Sequence, residues 1–154
     1  MNQASGVRHM SDEPSAASSD HGALVARARA ALDEIIDPCS SAAGLPAGLV
    51  TLGLVKAIDL QHDSVDGPLL VATLRVTGPG CVMAPVFVEE AQRRLAAVAG
   101  RGKAIVRFDA TPDWEQSDMD PAYRERRRLA LAQASRFVPP APGANPQVKP
   151  GETA

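Results

Sequence analysis

Residues 69–77, Leu-Leu-Val-Ala-Thr-Leu-Arg-Val-Thr, constrain the fold more than any other stretch of the chain. Leu70, Ala72, Leu74 and Val76 alternate with Leu69, Val71, Thr73, Arg75 and Thr77, the two-residue period of a β-strand. Both sets are largely apolar, so the strand reads as the central one of a sheet, covered on both faces. It runs into Gly78-Pro79-Gly80-Cys81, a tight turn, and then into a helix over about 83–98. Ala84, Val88, Ala91, Leu95 and Val98 form the buried stripe of that helix, and Glu89, Glu90, Gln92, Arg93 and Arg94 lie mostly off it. Pro85 fits in the first turn, and the acidic pair precedes the basic pair, as the helix dipole favours.

The remaining elements follow from the same periodicities. Leu24, Ala28, Ala31, Leu32 and Ile35 recur at helical spacing and predict a first helix over 23–36, stopped by Asp37-Pro38. Residues 39–48 read as a small-residue loop and Leu52–Leu60 as the first strand. A turn over Asp63–Pro68, bending at Asp66-Gly67, makes a hairpin with the central strand. Ala104–Asp109 predicts a third strand. Asp120-Pro121 predicts an N-cap and first residue for a helix over 121–134. The order αββαβα implies a single small two-layer α/β (α+β) domain. Its three-stranded mixed sheet is packed by helices and carries a right-handed crossover from the second strand to the third. Aromatic residues make up only 3% of the chain, so the core must be built from Ala, Val, Leu and Ile.

The two ends have a different composition. Residues 1–22 hold five Ser and no periodicity, and are expected to be a disordered arm. Residues 138–154 hold five Pro and two Gly and are expected to be an extended, disordered tail, leaving 23–137 as the folded domain. The net charge of −2 argues against a dedicated nucleic-acid partner. No apolar run approaches the roughly 20 residues of a membrane span, and no secretory h-region opens the chain. A reducing cytoplasm is therefore expected, with both cysteines as thiols. Two Cys are too few for a disulfide scaffold or for a closed structural zinc site within one chain.

Cys81 carries the first candidate chemistry. It follows a glycine-rich turn and stands within two residues of a helix start, where free backbone N–H groups and the dipole favour a thiolate. That position is expected to lower its pKa and raise its metal affinity or nucleophilicity. The alternative is a buried, inert cysteine acting as a small hydrophobe. Phosphate binding is disfavoured, because Gly78-Pro79-Gly80 has neither dinucleotide-fold nor Walker spacing and no Lys follows. His9, His21 and His62 are scattered and suggest no metal set. Arg124, Arg126, Arg127 and Arg128 form a basic run, read as a solvated face or as a dock for an acidic partner. Trp114 is expected to be a core or lid aromatic whose indole N–H needs a partner.

Thr77-Gly78-Pro79-Gly80-Cys81, between an apolar strand and a helix, resembles the T-x-P-G-C motif of the metal–sulfur (iron–sulfur) cluster biosynthesis domain family, which includes PaaD-like and SufT-like proteins. Ile36-Asp37-Pro38 is similar to that family's I-x-D-P-E segment, and Leu52-Gly53-Leu54-Val55 to its D-L-G-L-I/V segment. Phe108-Asp109-Ala110-Thr111-Pro112-Asp113-Trp114 with Met119 is similar to its D-P-x-W…M ending. The four segments occur in the family's order and span about residues 23–133. The resemblance implies a small α/β domain that assembles or delivers iron–sulfur clusters, with Cys81 as the key thiol and Asp37, Thr77 and Gly80 supporting it. The chain departs from the pattern at Cys39, where the family has Glu, at Val82, where it often has Pro, and at Thr51, which replaces an acidic residue. The C-terminal zinc-type cysteines of the longer PaaD-type proteins are absent from the tail.

The family's Asp-Pro-Glu turn and its motif cysteine lie at one end of the fold, so the resemblance implies that Cys39 and Cys81 converge. Three arrangements are then open: a reversible disulfide, a jointly held metal, or two thiols from each of two subunits around one cluster. The alternative reading is that Cys39 is incidental to a small-residue loop. The leading expectation is a non-enzymatic assembly or maturation factor holding an iron–sulfur cluster or iron transiently. Its partners would be client apo-proteins, other assembly proteins or a second copy in a homodimer. The alternatives are a thiol–disulfide redox enzyme using Cys39 and Cys81, and a metal-free interaction module of a multicomponent oxygenase or assembly complex.

Overall fold

Strand β2 (Gly67–Leu74) runs between β1 (Val55–Asp63) and β3 (Lys103–Phe108) in a computed structural model that describes residues 16–63, 67–78 and 80–135. β1 pairs antiparallel with β2, placing Asp63 opposite Gly67, and β3 pairs parallel with β2, placing Leu74 opposite Phe108. The doubly apolar strand is thus central, the hairpin and the parallel crossover are both present, and the sheet is mixed as expected. The bend at Asp66 and the expected loose ends over 1–15 and 138–154 lie outside the described residues.

Helices α1 (Ala16–Asp33) and α3 (Ala84–Ala99) cover one face of the sheet. Ala28 and Leu32 of α1 meet Leu70, Ala72 and Leu74 of β2 and Phe87, Ala91 and Leu95 of α3 in one buried cluster. Across the opposite face, Asp59, Gln61, Lys103, Ile105 and Arg107 are exposed around a buried Val71. Gln92 is a correction to the expected stripe. Its side chain donates to the Ala104 carbonyl (2.8 Å) and accepts from the Val106 N–H (3.0 Å), so it occupies the free edge of β3. An edge strand exposes these backbone groups to other chains, and the amide of Gln92 satisfies a donor and an acceptor at once.

Several boundaries differ from expectation. α1 begins at Ala16, so residues 16–22, assigned to the arm, are helical, and it ends at Asp33 rather than Ile36. Asp37-Pro38 does not stop that helix. It starts a separate one, α2 (Pro38–Ala42), inside the expected loop, with Asp37 as N-cap and Pro38 in the first turn. β1 begins at Val55 rather than Leu52, because Gly53 has φ +70° and breaks the extended run. Leu49, Leu52 and Leu54 are buried from turns in this segment, with the Leu54 N–H donating to the Leu49 carbonyl (2.8 Å). β2 ends at Leu74, so Val76 and Thr77 lie beyond it. β3 and α4 (Pro121–Ala134) fall within a residue of expectation, and Asp120 caps α4 through the Tyr123 N–H (3.0 Å).

Candidate functional site

Two short segments bring the cysteines to the same end of the sheet. The first is α2. Its cap fixes the backbone: the Asp37 carboxylate accepts the Ser40 N–H at 2.6 Å, and the Asp37 N–H donates to the Ala47 carbonyl at 3.0 Å. Ser40 is the one buried polar residue among the described residues, and its hydroxyl donates to the Asp37 carbonyl (2.6 Å) and accepts the Ala47 N–H (3.0 Å). With Ser40 anchored inward, its neighbour Cys39 is left exposed. The second segment is the turn after β2, where the Cys81 N–H donates to the Gly78 carbonyl at 3.3 Å. Cys81 stands two residues ahead of Met83, the N-cap of α3, and its carbonyl accepts the Ala84 N–H (3.4 Å). Its residue is partly buried, packed against the core cluster.

Both cysteines line one cavity of about 500 Å³. Asp37 and Thr77 line it as well, so four of the five residues singled out from the sequence meet there. Gly80 does not line it. It is exposed and has open space where a Cβ would point. The walls are otherwise largely apolar: Leu45, Leu52, Leu54, Val76, Phe87, Trp114, Met119, Tyr123 and Leu131. Size and lining are those of an ordinary small-ligand site. Neither cysteine is in a disulfide. Among the described residues, no three His, Cys, Asp or Glu side chains are grouped to hold a metal ion.

The far wall comes from α4 and the segment before it. Tyr123 donates its hydroxyl to the Leu45 carbonyl (2.9 Å), tying α4 to the chain after α2. Trp114 donates its indole N–H to the Leu52 carbonyl (2.9 Å), the partner its partial burial requires. The basic run divides by helical geometry. Arg126 lies over the Tyr123 ring (5.4 Å), Arg128 pairs with Glu125 (2.7 Å), and Arg127 turns to the cavity. Sequence reading treated these arginines as one face and missed Arg127. The signal was available, since Arg127 lies four residues after Tyr123 and four before Leu131 on the same face.

Arg75, also missed, organises the Trp114 segment. Its side chain is 10% exposed, donates to the Gly53 carbonyl (3.0 Å) and pairs with Asp118 (2.8 Å) and Asp113 (3.4 Å). A β-bulge at Lys56 sets that side chain against Asp109 (2.7 Å) and Asp113 (2.5 Å). Lys56, together with bonds from Thr111, holds the Asp109 carboxyl well below the usual carboxylate range. Lys56 and then Arg75 lower Asp113, while the Glu115 N–H and then Arg75 lower Asp118. A depressed carboxylate stabilises the fold above its unfolded pKa, and loses that contribution as the pH falls through the folded value. Trp114 fluorescence should therefore hold constant from about pH 7 to about pH 4 and change below that. Lys56→Met should move this acid transition to higher pH, and an unmoved transition would show that the Lys56 pairs with Asp109 and Asp113 do not set it.

No family model matches the chain. It is 30% identical over 89 residues to the Fe-S protein maturation auxiliary factor YitW of Bacillus subtilis, an alignment covering 58% of this chain and 78% of the relative. That protein is named as an auxiliary factor rather than as an enzyme. The fold is similar to the crystal structure of a domain of unknown function, DUF59, from Bacillus anthracis. The TM-score is 0.54 at 25% identity, over 75% of this chain and 97% of that one. A solution structure of Rv1466 from Mycobacterium tuberculosis, described as associated with [Fe-S] complex assembly and repair, aligns at 22% identity with a TM-score of 0.38.

Proposed function

The chain belongs to the iron–sulfur cluster biosynthesis domain family that includes YitW, and from that premise we propose that it is a non-enzymatic maturation factor for iron–sulfur proteins, taking a cluster or iron as transient cargo at Cys81. The observation that carries the reading is the position of Cys81: partly buried, free, and on the wall of a cavity large enough for a small inorganic group. Thiolate sulfur is the donor that iron–sulfur clusters use, so the residues present fit the cargo by donor type. The described residues supply two such donors and no third ligand beside them. An incomplete ligand set suits delivery, because a cargo held by few bonds can be passed on by ligand exchange. Client apo-proteins or other assembly proteins would receive it. No helix among the described residues is long and apolar enough to cross a membrane. A reducing cytoplasm would keep both sulfurs as thiols.

Anaerobic reconstitution with iron and sulfide tests the reading. The wild type should develop a visible charge-transfer absorption and pass it to an apo-ferredoxin, and Cys81→Ser should lose at least nine-tenths of both, on the order of a tenfold effect. Absorption and transfer that survive Cys81→Ser undamaged would refute it. The free cysteines on one cavity also favour a second reading, a thiol–disulfide protein. That reading predicts no absorption and a Cys39–Cys81 disulfide formed by exchange with oxidised glutathione, two thiols giving one disulfide and two reduced glutathiones.

A further inference from the structure

We propose that Cys39 and Cys81 form a two-thiol clamp for one thiophilic cation per chain, and that its open coordination positions are completed by a pair of thiols from the protein that donates or receives the cargo. The clamp deepens the maturation reading and rests on it for the identity of the cargo in use. Both sulfur-bearing residues line one cavity, and they reach it from elements fixed independently of each other. The Asp37 cap and the buried Ser40 hydroxyl hold the α2 side, and the Gly78–Cys81 turn holds the other.

The donor set around them is selective. Asp37 is the one carboxylate among the described residues of the cavity wall, and it already accepts the Ser40 N–H at 2.6 Å. Among the described residues of the wall, Arg127 is the one basic side chain. Leu52, Leu54, Phe87 and Trp114 offer no oxygen or nitrogen side-chain ligand except the indole N–H, which is occupied by the Leu52 carbonyl. The Asp37, Ser40 and Tyr123 oxygens on this wall are already hydrogen-bonded and Thr77 offers a neutral hydroxyl, so the two sulfurs lead the donor set and favour soft cations over magnesium or calcium. Tetrahedral thiophilic cations take four ligands, so two positions stay open. Cys39 is exposed, so the clamp faces solvent where a partner's cysteines can reach the cation. Thiols are the partner chemistry that matches, since they complete an all-thiolate set.

Cadmium is the probe, because each cadmium–sulfur bond adds to an ultraviolet charge-transfer band. The chain's single tryptophan, Trp114, on the same wall, gives a second signal. The reduced 154-residue chain titrated with cadmium should saturate at one equivalent per chain, with the band and the Trp114 emission changing together. Cys39→Ser and Cys81→Ser should each halve the band and weaken binding at least about tenfold, with thermal melting unchanged for Cys39→Ser, whose site is exposed. Adding a two-cysteine peptide to the loaded protein should raise the band as a ternary complex forms, visible by native mass spectrometry. Wild-type binding by Cys39→Ser overturns the clamp. Saturation at half an equivalent with a dimer mass overturns the open positions, since a second copy would then complete the site. Failure of the clamp with cluster transfer intact leaves the maturation reading standing, and a working clamp with no transfer removes that reading alone.

Discussion

Gly48→Ala should lose at least about 3 kcal/mol of stability, seen as a large drop in the denaturant midpoint. A Cβ at this position would lie inside the Asp33 carbonyl and against its carboxylate. Neither can retreat cheaply. The Asp33 carboxylate accepts both the Thr51 N–H (2.7 Å) and the Thr51 hydroxyl (2.9 Å), and Gly48 is bridged to Ile36. This close approach lets the end of α1 seat against the chain that leads to β1. It also aligns the Asp37–Ala47 bond that holds the Cys39 turn. Gly44→Ala is the control. Gly44 has φ +74° and open space around it, so only the backbone conformation is penalised, at about 1 kcal/mol. Equal midpoints for the two variants would show that the approach at Gly48 is not tight.

Leu95→Ala should cost about 3 kcal/mol, and lower the melting temperature by roughly 10 °C or more. Leu95 is fully buried where α3 meets the inner sheet face. Removing it leaves a void beside Leu70, Leu74 and Phe87 of the same buried cluster, which can close only in part. Thermal unfolding followed by circular dichroism measures the effect. A cost under about 1 kcal/mol would mean that α3 can resettle on the sheet.

Periodicity made the long elements legible. The stripe Val88, Ala91, Leu95 and Val98 requires a helix whatever the surroundings, and Asp120-Pro121 supplies its own start signal. The errors fell on Asp37-Pro38, Gly53 and Gln92. Asp37-Pro38 can end one helix or begin another, and only the bonds to Ala47 decide. Gly53 sits in an apolar run that reads as strand, and only the fold shows its positive φ and its close approach to the Asp118 backbone. Gln92 looks like a surface residue until β3 lies beside it.

The candidate site divides in the same way. The family motif and the turn residues identify Cys81 from local order alone, and the departure at Cys39 is visible in the same reading. The cavity is not. Its walls come from α2, the chain before β1, the turn after β2, the Trp114 segment and α4, which are far apart in sequence. Arg75 and Arg127 show why. Each is one arginine among several in the sequence, and what distinguishes them is the carbonyl, carboxylate or cavity that folding sets in front of them. Local order therefore determined the strands, the long helices and the identity of the sulfur residues, since propensity and periodicity act over a few neighbours. The resemblance implied that Cys39 and Cys81 meet, but only the tertiary structure supplied the chamber they share and turned Arg127 towards it, because such proximity depends on the packing of segments that local sequence does not relate.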